Sequence, residues 1–369
     1  MNEAKLPLSE VILDSLNDGL YVCDKDRRII YWSKSAERIT GWSAAEVVGR
    51  RCSDEVLAHV DQDGRQLCGE EFCPLHRSMV TDRASTCPLI VFGLTKHGGR
   101  LPMTVSVAPI HGEDGQVVGG VETFHDFSET YANLERARRI QTLALDDALP
   151  KDPRVEFVSH YLPHDMIGGD YFAIRALDRD RYAFFLADVM GHGVAAALHT
   201  MHLSSLWGRF WQTLANPAEF AGLLNRELCQ VVKDESFATA ICGVLDAAGR
   251  QVRIVSAGGP PIVVIDRLGQ VRHIQCSGLP FGAFAVLEYE ETGFRCGSGD
   301  ALLLFTDGAV EVCDSAGTVL GAEGLVDILK TLGYPREPID IAALQKELLK
   351  RGDGIKLADD LTLLEFRFS

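Results

Sequence analysis

Five aspartates fall where apolar runs begin or end. Asp170 stands just before "YFAIRA", and Asp188 closes "RYAFFLA". The turn residues "LDRD" at 177–180 lie near the midpoint between them, so two strands paired as a hairpin bring both carboxylates to one sheet edge. Asp307 follows the run 301–305, while Asp359 and Asp360 precede the terminal run "LTLLEFRF", and antiparallel pairing brings these ends together as well. No Lys or Arg stands within two residues of any of these aspartates. Carboxylates gathered so closely repel one another unless a cation lies between them. An all-oxygen donor set selects Mg2+ or Mn2+ over zinc. Gly168, Gly169, Gly191, Gly193 and Gly308 flank the acids, where backbone must approach a metal or phosphate closely. Taken singly, an aspartate at a strand end is a turn former or a helix cap; the matched placement of the set is what argues for a metal.

The elements that must position these residues occupy the C-terminal part. From about 155 to 369 strands dominate, with helices expected at 193–213, 217–233, 323–332 and 339–350, an α+β pattern of antiparallel strands with helices packed on the sheet. Before it, 127–149 is rich in helix formers, with Phe127, Tyr131 and Leu134 at helical spacing, and Pro150 and Pro153 stop it; it reads as a helical connector. Residues 8–126 alternate short strands and small helices. Strands 19–24 and 28–32 flank the turn Asp24-Lys25-Asp26, a helix starts at Ser33, and three later strand-like segments are separated by Gly-rich turns.

The bulk numbers fit this division. At 369 residues the chain exceeds what one core usually organises, which predicts two domains, and 46% hydrophobic with 24% charged residues is ordinary globular usage. A net charge of −16 with scattered basic residues argues against nucleic acid as a partner. The start "MNEAKLPLSEVILDSL" has no signal-peptide pattern and no run reaches membrane-span length, so a cytoplasmic protein is expected. Its ten cysteines then read as thiols or ligands rather than a disulfide framework.

In order, "GGDYF" (168–172), "ADVMGHGVAAA" (187–197), "FATAICGVLD" (237–246), "SAGGPP" (256–261), "GLPFG" (278–282), "LLLFTDGAVE" (302–311) and "DDLTLL" (359–364) resemble the motifs of SpoIIE/RsbU-type phosphatases, the bacterial branch of the metal-dependent PPM Ser/Thr phosphatases. The resemblance covers about 145–369 and implies an αββα sandwich with two Mn2+ or Mg2+ ions at one edge of its two sheets. It assigns Asp170, Asp188, Asp307 and Asp359 as catalytic metal ligands, with Asp360 the lesser candidate and Val189 lending its backbone carbonyl. It implies that water activated between two ions attacks phosphorus, with no protein nucleophile. Gly169, Gly191, His192 and Gly193 become candidates for phosphate or turn contacts. Two positions depart from the pattern: Gly259 stands where relatives commonly carry a histidine, and Ala173 where they often carry an acid.

The first 125 or so residues resemble a PAS sensor domain, carried mainly by "GLYVCDKDRRIIYWSKSAERITGWSAAEVVGRRC". That implies an antiparallel sheet with flanking helices and leaves the ligand open among haem, flavin, a metal or none. Cys52, His59, Cys68, Cys73 and His76 crowd into one stretch whose spacing is not a clean pair of C-x2-C knuckles, so a metal or redox centre competes with plain buried thiols.

The organisation expected is therefore a PAS domain over 1–126, a signalling helix over 127–149 and a phosphatase domain over 150–369. The resemblance implies a sensor-regulated phosphoserine/phosphothreonine phosphatase. Its substrate would be a phosphorylated STAS-type anti-anti-sigma protein in a partner-switching pathway, and a homodimer would form through PAS and linker. The alternative is a weak or inactive phosphatase-like domain acting as a signalling binding module, although such a module has no physical need for the anionic cluster. A diguanylate cyclase reading of "GGDYF" puts Tyr171 where that signature needs an acid and leaves the other motifs unexplained.

Overall fold

The computed structural model describes residues 13–369 apart from 55, 63, 70–71, 86–88, 146–147, 232–235 and 353–356. Most of the stretch read for a leader, together with 146–147 of the expected connector and 232–233 of an expected helix, lies outside the described residues. The chain divides into two compact units, Met1–Leu134 and Glu135–Ser369.

In the first unit, β1 (Gly19–Asp24), β2 (Ile29–Trp32), β3 (Leu89–Leu94), β4 (Arg100–His111) and β5 (Val117–Asp126) form one antiparallel sheet in the order β2-β1-β5-β4-β3. Ser33 caps the helix Lys34–Thr40 by accepting from the Ala36 N–H, which is why the helix begins where the run "IIYW" ends. Tyr21, Ile29, Trp32, Val105 and Phe124 fill the core of this PAS-like unit.

The helix Ser128–Leu145 crosses from one unit's residues to the other's. Its described residues run to Leu145, whose side chain packs against the second unit's core, and 148–150 lie outside regular structure.

The second unit is a four-layer sandwich. One sheet orders β13 (Thr292–Arg295), β10 (Gln251–Ala257), β9 (Ala238–Asp246), β8 (Arg181–Val189) and β7 (Asp170–Ala176); the other orders β12 (Val271–Ile274), β11 (Ile262–Ile265), β14 (Ala301–Phe305), β15 (Leu361–Phe368) and β6 (Val155–Leu162). Period-two alternation sends Phe172, Ile174, Phe184 and Leu186 of the first sheet to meet Leu302, Leu304, Leu364 and Phe366 of the second. The intervening residues face helices. Ala173, Phe185 and Ala187 pack against Val194–Phe210 and Pro217–Val231, while Leu303, Phe305 and Leu363 pack against Gly321–Thr331 and Ile341–Arg351. Both faces of each sheet are covered, and so these antiparallel strands read as nearly unbroken apolar runs. Phe184 and Phe366 meet between the sheets at 5.1 Å and 69°, and their enclosure, worth about 2–3 kcal/mol each, holds the sheets face to face with their ends aligned. Among the described residues no helix is long and apolar enough to cross a membrane.

Candidate metal centre

The hairpin of β7 and β8 closes through Leu177, whose N–H donates to the Arg181 carbonyl. Its register sets Asp170 directly opposite Asp188. In the other sheet β14 and β15 pair through Phe305 and Leu363 at their ends, so the continuing chains carry Thr306-Asp307 and Asp359-Asp360 out at a shared edge. The two edges meet at Asp170: its Oδ2 accepts from the hydroxyls of Thr306, just past the end of β14, at 2.8 Å and Thr362, in β15, at 2.5 Å. Its Oδ1 is enclosed and no donor among the described residues reaches it.

The electrostatics follow from that packing. Asp170 is completely buried; its carboxyl is pushed well above the ordinary range by burial, then by Asp188 and Asp360, with the two threonine hydroxyls opposing. Asp188, 7% exposed, is pushed up to about 8 by burial and then by Asp307, Asp359 and Asp360. Asp307 is pushed up to about 6 by burial, Asp359 and Glu311. Burial raises Asp360 too, but here backbone amides pull the other way. An enclosed carboxylate oxygen with no donor, among carboxylates that raise one another, is a donor set whose repulsion a hard divalent cation would relieve.

The two terminal aspartates have different tasks. Asp360 Oδ1 accepts from the His164 N–H at 2.5 Å, and Oδ2 accepts from Gly169 at 2.5 Å and Asp170 at 3.3 Å. It is a clasp on the segment 164–170 and has little left for an ion. Asp359 is half-buried, and among the described residues its side chain accepts from the Asp360 N–H alone, at 2.8 Å on Oδ1. Gly168 must be glycine for the clasp to close, since a Cβ there would lie 2.4 Å from Asp360 Oδ2 and 2.2 Å from the Tyr161 hydroxyl. Gly308 is tighter still, with its missing Cβ only 1.9 Å from the Asp360 carbonyl oxygen.

Other candidate residues sort by their contacts. The Val189 carbonyl faces Gly169, whose Cβ would meet it at 2.9 Å. The Gly169 N–H is taken by Asp360, so it offers no amide to a phosphate. Gly191 and Gly193 hold left-handed backbone, φ +86° and +82°, which any side chain would strain. His192 between them is exposed and turns to Asp165, with Nδ1 at 3.1 Å from Oδ2. The ligand atoms of His164, Asp165 and His192 all lie within 4.8 Å of one another, a group able to hold a metal.

Neither departure opens a gap. Gly259 lies so close to Ile241 and Ala240 that a Cβ would stand 2.8 Å from Ile241 Cγ1, and Ala173 is packed in the apolar layer under the helices.

In the PAS-like unit Cys52, His59, Cys68, Cys73 and His76 do not gather into a metal-ligand group. Cys52 and Cys73 are buried among core residues, and Cys68 Sγ accepts from the His59 N–H. His59 Nε2 instead faces Glu122 Oε1 at 3.6 Å; both side chains are buried, and among the described residues neither of these two atoms has a hydrogen-bond partner. Burial pushes Glu122 up to about 8 and His59 down to about 4.

Some contributors carry no motif. Gln141, the buried residue of the helix Ser128–Leu145, pairs with Gly168 twice: its Nε2 donates to the carbonyl at 2.6 Å and its Oε1 accepts from the N–H at 3.1 Å. Thr200 Oγ1 donates to the Gly169 carbonyl at 3.0 Å. Thr306 and Thr362 were inside quoted motifs, yet their reach across to Asp170 has no signal in either sheet alone.

Residues 178–369 match the family model of stage II sporulation protein E (SpoIIE), and 13–132 that of the PAS fold. The chain belongs to the SpoIIE family. It joins a PAS-like unit to the PPM-type αββα sandwich of that family. It is 30% identical over 224 residues to phosphoserine phosphatase RsbP of Bacillus subtilis (strain 168), covering 60% of this chain and 53% of that protein, so it spans about half of RsbP. With phosphoserine phosphatase RsbU of the same organism identity is 23% over 306 residues, covering 82% and 87%. The fold is shared with the SiaA-PP2C domain of Pseudomonas aeruginosa, at TM-score 0.56 and 22% identity over 66% of this chain and 98% of that one. It is also shared with the PP2C phosphatase domain and regulatory fragment of Bacillus subtilis SpoIIE, at 0.52 and 18% over 77% and 80%.

Proposed function

We propose that this SpoIIE-family chain is a sensor-regulated, divalent-metal-dependent phosphoserine/phosphothreonine protein phosphatase. The observation that carries the reading is the buried, donorless Asp170 Oδ1 set opposite Asp188, at the edge that also receives Asp307 and Asp359. These four, with the Val189 carbonyl, would hold two Mn2+ or Mg2+ ions. When bound, such ions acidify water and neutralise phosphoryl charge. The chain's part is to hold the carboxylates in place. Thr306 and Thr362 fix one oxygen of Asp170 and leave the other for ligation, while Asp360 and Gln141 fix the segment that carries it. Gly191 and Gly193 leave room at the rim for a phosphate to approach the backbone.

The substrate would be a phosphorylated STAS-type anti-anti-sigma protein; the similarity to RsbP and RsbU, both phosphoserine phosphatases, supports the phosphoserine class. The PAS-like unit would sense and the helix Ser128–Leu145 would transmit. Ile140 and Leu143, three apart and exposed on that helix, support pairing of two copies along it. The test is Mn2+-dependent hydrolysis of an aryl phosphate and a phosphoserine peptide by the full chain and by Asp188→Asn. Activity lost in the variant is expected. An inactive wild type that also binds no divalent ion would hand the reading to a binding module.

A further inference from the structure

The carboxylate edge is an all-oxygen site, but beside it lies a donor set of another kind. His192 is carried on a loop that only its flanking left-handed glycines permit, and this presents Nδ1 to Asp165 Oδ2 at 3.1 Å. His164 Nε2 lies 3.8 Å from the other oxygen, Oδ1, and the two rings are 5.0 Å apart. Donors bound to one ion by bonds of ~2.0–2.2 Å sit ~3–3.6 Å from each other, so the three side chains already stand near ligand spacing.

The tautomer of His164 points the same way. Its Nδ1 is 2.7 Å from the Leu357 carbonyl, an acceptor only, so that nitrogen carries the proton and Nε2 offers a lone pair. A ring held by a carbonyl behind it, with its free nitrogen forward, is the usual outer-shell support of a metal-binding histidine. The backbone of His164 is held as well, through its N–H to Asp360. A lone pair facing a carboxylate oxygen is repulsive, and a cation between them removes the repulsion. Asp165 and His192 are 38% and 59% exposed, which leaves an entry path and open coordination positions.

We propose that His164, Asp165 and His192 form a separate site for a single borderline divalent ion of the Zn2+ class, with two imidazoles and one carboxylate as ligands. The ion joins the segment leading into Gly168–Asp170 to the loop that follows Asp188, and so ties together the two backbone stretches that carry the opposed aspartates. The site does not rest on the phosphatase reading.

Co2+ alone serves as the probe, in full-length protein carrying Asp188→Asn and Asp307→Asn so that the carboxylate edge is disabled. That protein is expected to bind a single equivalent of Co2+ with intense visible d–d bands, as a low-coordinate histidine-containing site gives, and to lose it to added Zn2+. Adding His164→Ala or Asp165→Asn should weaken Co2+ binding at least tenfold and bleach the bands. Unchanged melting curves without metal establish that each variant is folded, and the near-isosteric Asp165→Asn guards against a packing defect at His164. No Co2+ band in the edge-disabled protein, or a band that survives both substitutions, would overturn the proposal and leave a hydrogen-bonded His-Asp-His group only. Because activity is not the readout, failure of the phosphatase reading leaves this result untouched.

Discussion

Replacing Asp188 by Asn should make the metal-free protein more stable while abolishing its stabilisation by Mn2+. Asp188 is 7% exposed and its carboxyl is pushed from 3.8 up to about 8 by burial and by Asp307, Asp359 and Asp360. Between those pH values the folded state retains a proton that the unfolded chain releases, so stability present at low pH is lost as pH rises, at about 1.4 kcal/mol per unit. From 3.8 to pH 7 that amounts to about 4 kcal/mol for an isolated group. The repulsion is shared with the other carboxylates, so roughly 2 kcal/mol belongs to Asp188 itself. An unfolding unit of this size shifts by ~2–4 °C per kcal/mol, which places the Asp188→Asn transition about 4–8 °C above wild type in EDTA at pH 7. At pH 5 the gap should shrink to under about 1 kcal/mol, because the wild-type carboxyl is then protonated when folded. Mn2+ at a hundred times its dissociation constant adds about 2.7 kcal/mol to wild type and little to the variant, so the order of the two melting temperatures reverses. Calorimetry of the full chain in EDTA and in Mn2+ at both pH values reads all of this. An Asp188→Asn protein that melts at or below wild type in EDTA at pH 7, or that gains as much from Mn2+, would refute the uncompensated-charge argument.

Asp360→Ala should act with the opposite sign, since three amides of 164–170 lose their acceptor at about 1 kcal/mol or more each; a fall in melting temperature that persists in EDTA is the expected result. Gly308→Ala must displace the Asp360 carbonyl, 1.9 Å from the new Cβ, and is expected to lower Mn2+ affinity in calorimetric titration by more than tenfold. Gln141→Ala, with both bonds to Gly168 gone, should reduce kcat on a phosphopeptide with KM little changed, and Gln141→Glu should fail to rescue because its carboxylate cannot donate to the Gly168 carbonyl. Glu122, pushed up from 4.5 to about 8 mainly by burial, stabilises its unit when protonated, and that contribution is lost as pH rises between those values. Hydrogen exchange in β5 should therefore accelerate beyond the intrinsic rate over that range, and Glu122→Gln should flatten the change.

What the sequence makes legible is the part governed by period and register. "YFAIRA-LDRD-RYAFFLA" contains its own turn, so the pairing of Asp170 with Asp188 can be worked out by counting outward from 177–180. The helical segments likewise show as apolar residues at helical spacing. What stays hidden is direction in irregular backbone. Cys52, His59, Cys68 and Cys73 are close along the chain, but the described residues between them are mostly without regular structure, and nothing in their spacing says that His59 turns to Glu122 of β5 rather than to a thiol. His164 and Asp165 are hidden for the same reason: they precede "GGD" as an ordinary connector, and only the fold sets them against His192. Gln141 gives no signal at all, being one polar residue in a polar helix until Gly168 is packed on it.

The segment 164–170 is where these unannounced contacts converge. Asp360 holds it from the second sheet, Thr200 from the helix Val194–Phe210 and Gln141 from the helix Ser128–Leu145, all through backbone groups of a stretch containing two glycines. Glycine backbone has the most conformations to lose, so the ordered form of Gly168–Asp170 depends on those external bonds more than a stiffer sequence would. Each is worth about 1 kcal/mol net, and the Gln141 pair together about 2, enough to change the population of the ordered segment some thirtyfold. The Asp360 and Thr200 bonds belong to the sandwich itself and persist whenever it is folded. The Gln141 bonds are made by the helix whose first turns belong to the PAS-like unit, where Tyr131 packs edge-on against Phe92 at 5.2 Å. On the proposed reading, regulation would need no new contact at the metal ligands: a change in how that helix seats Gln141 would order or release the backbone from which Asp170 projects.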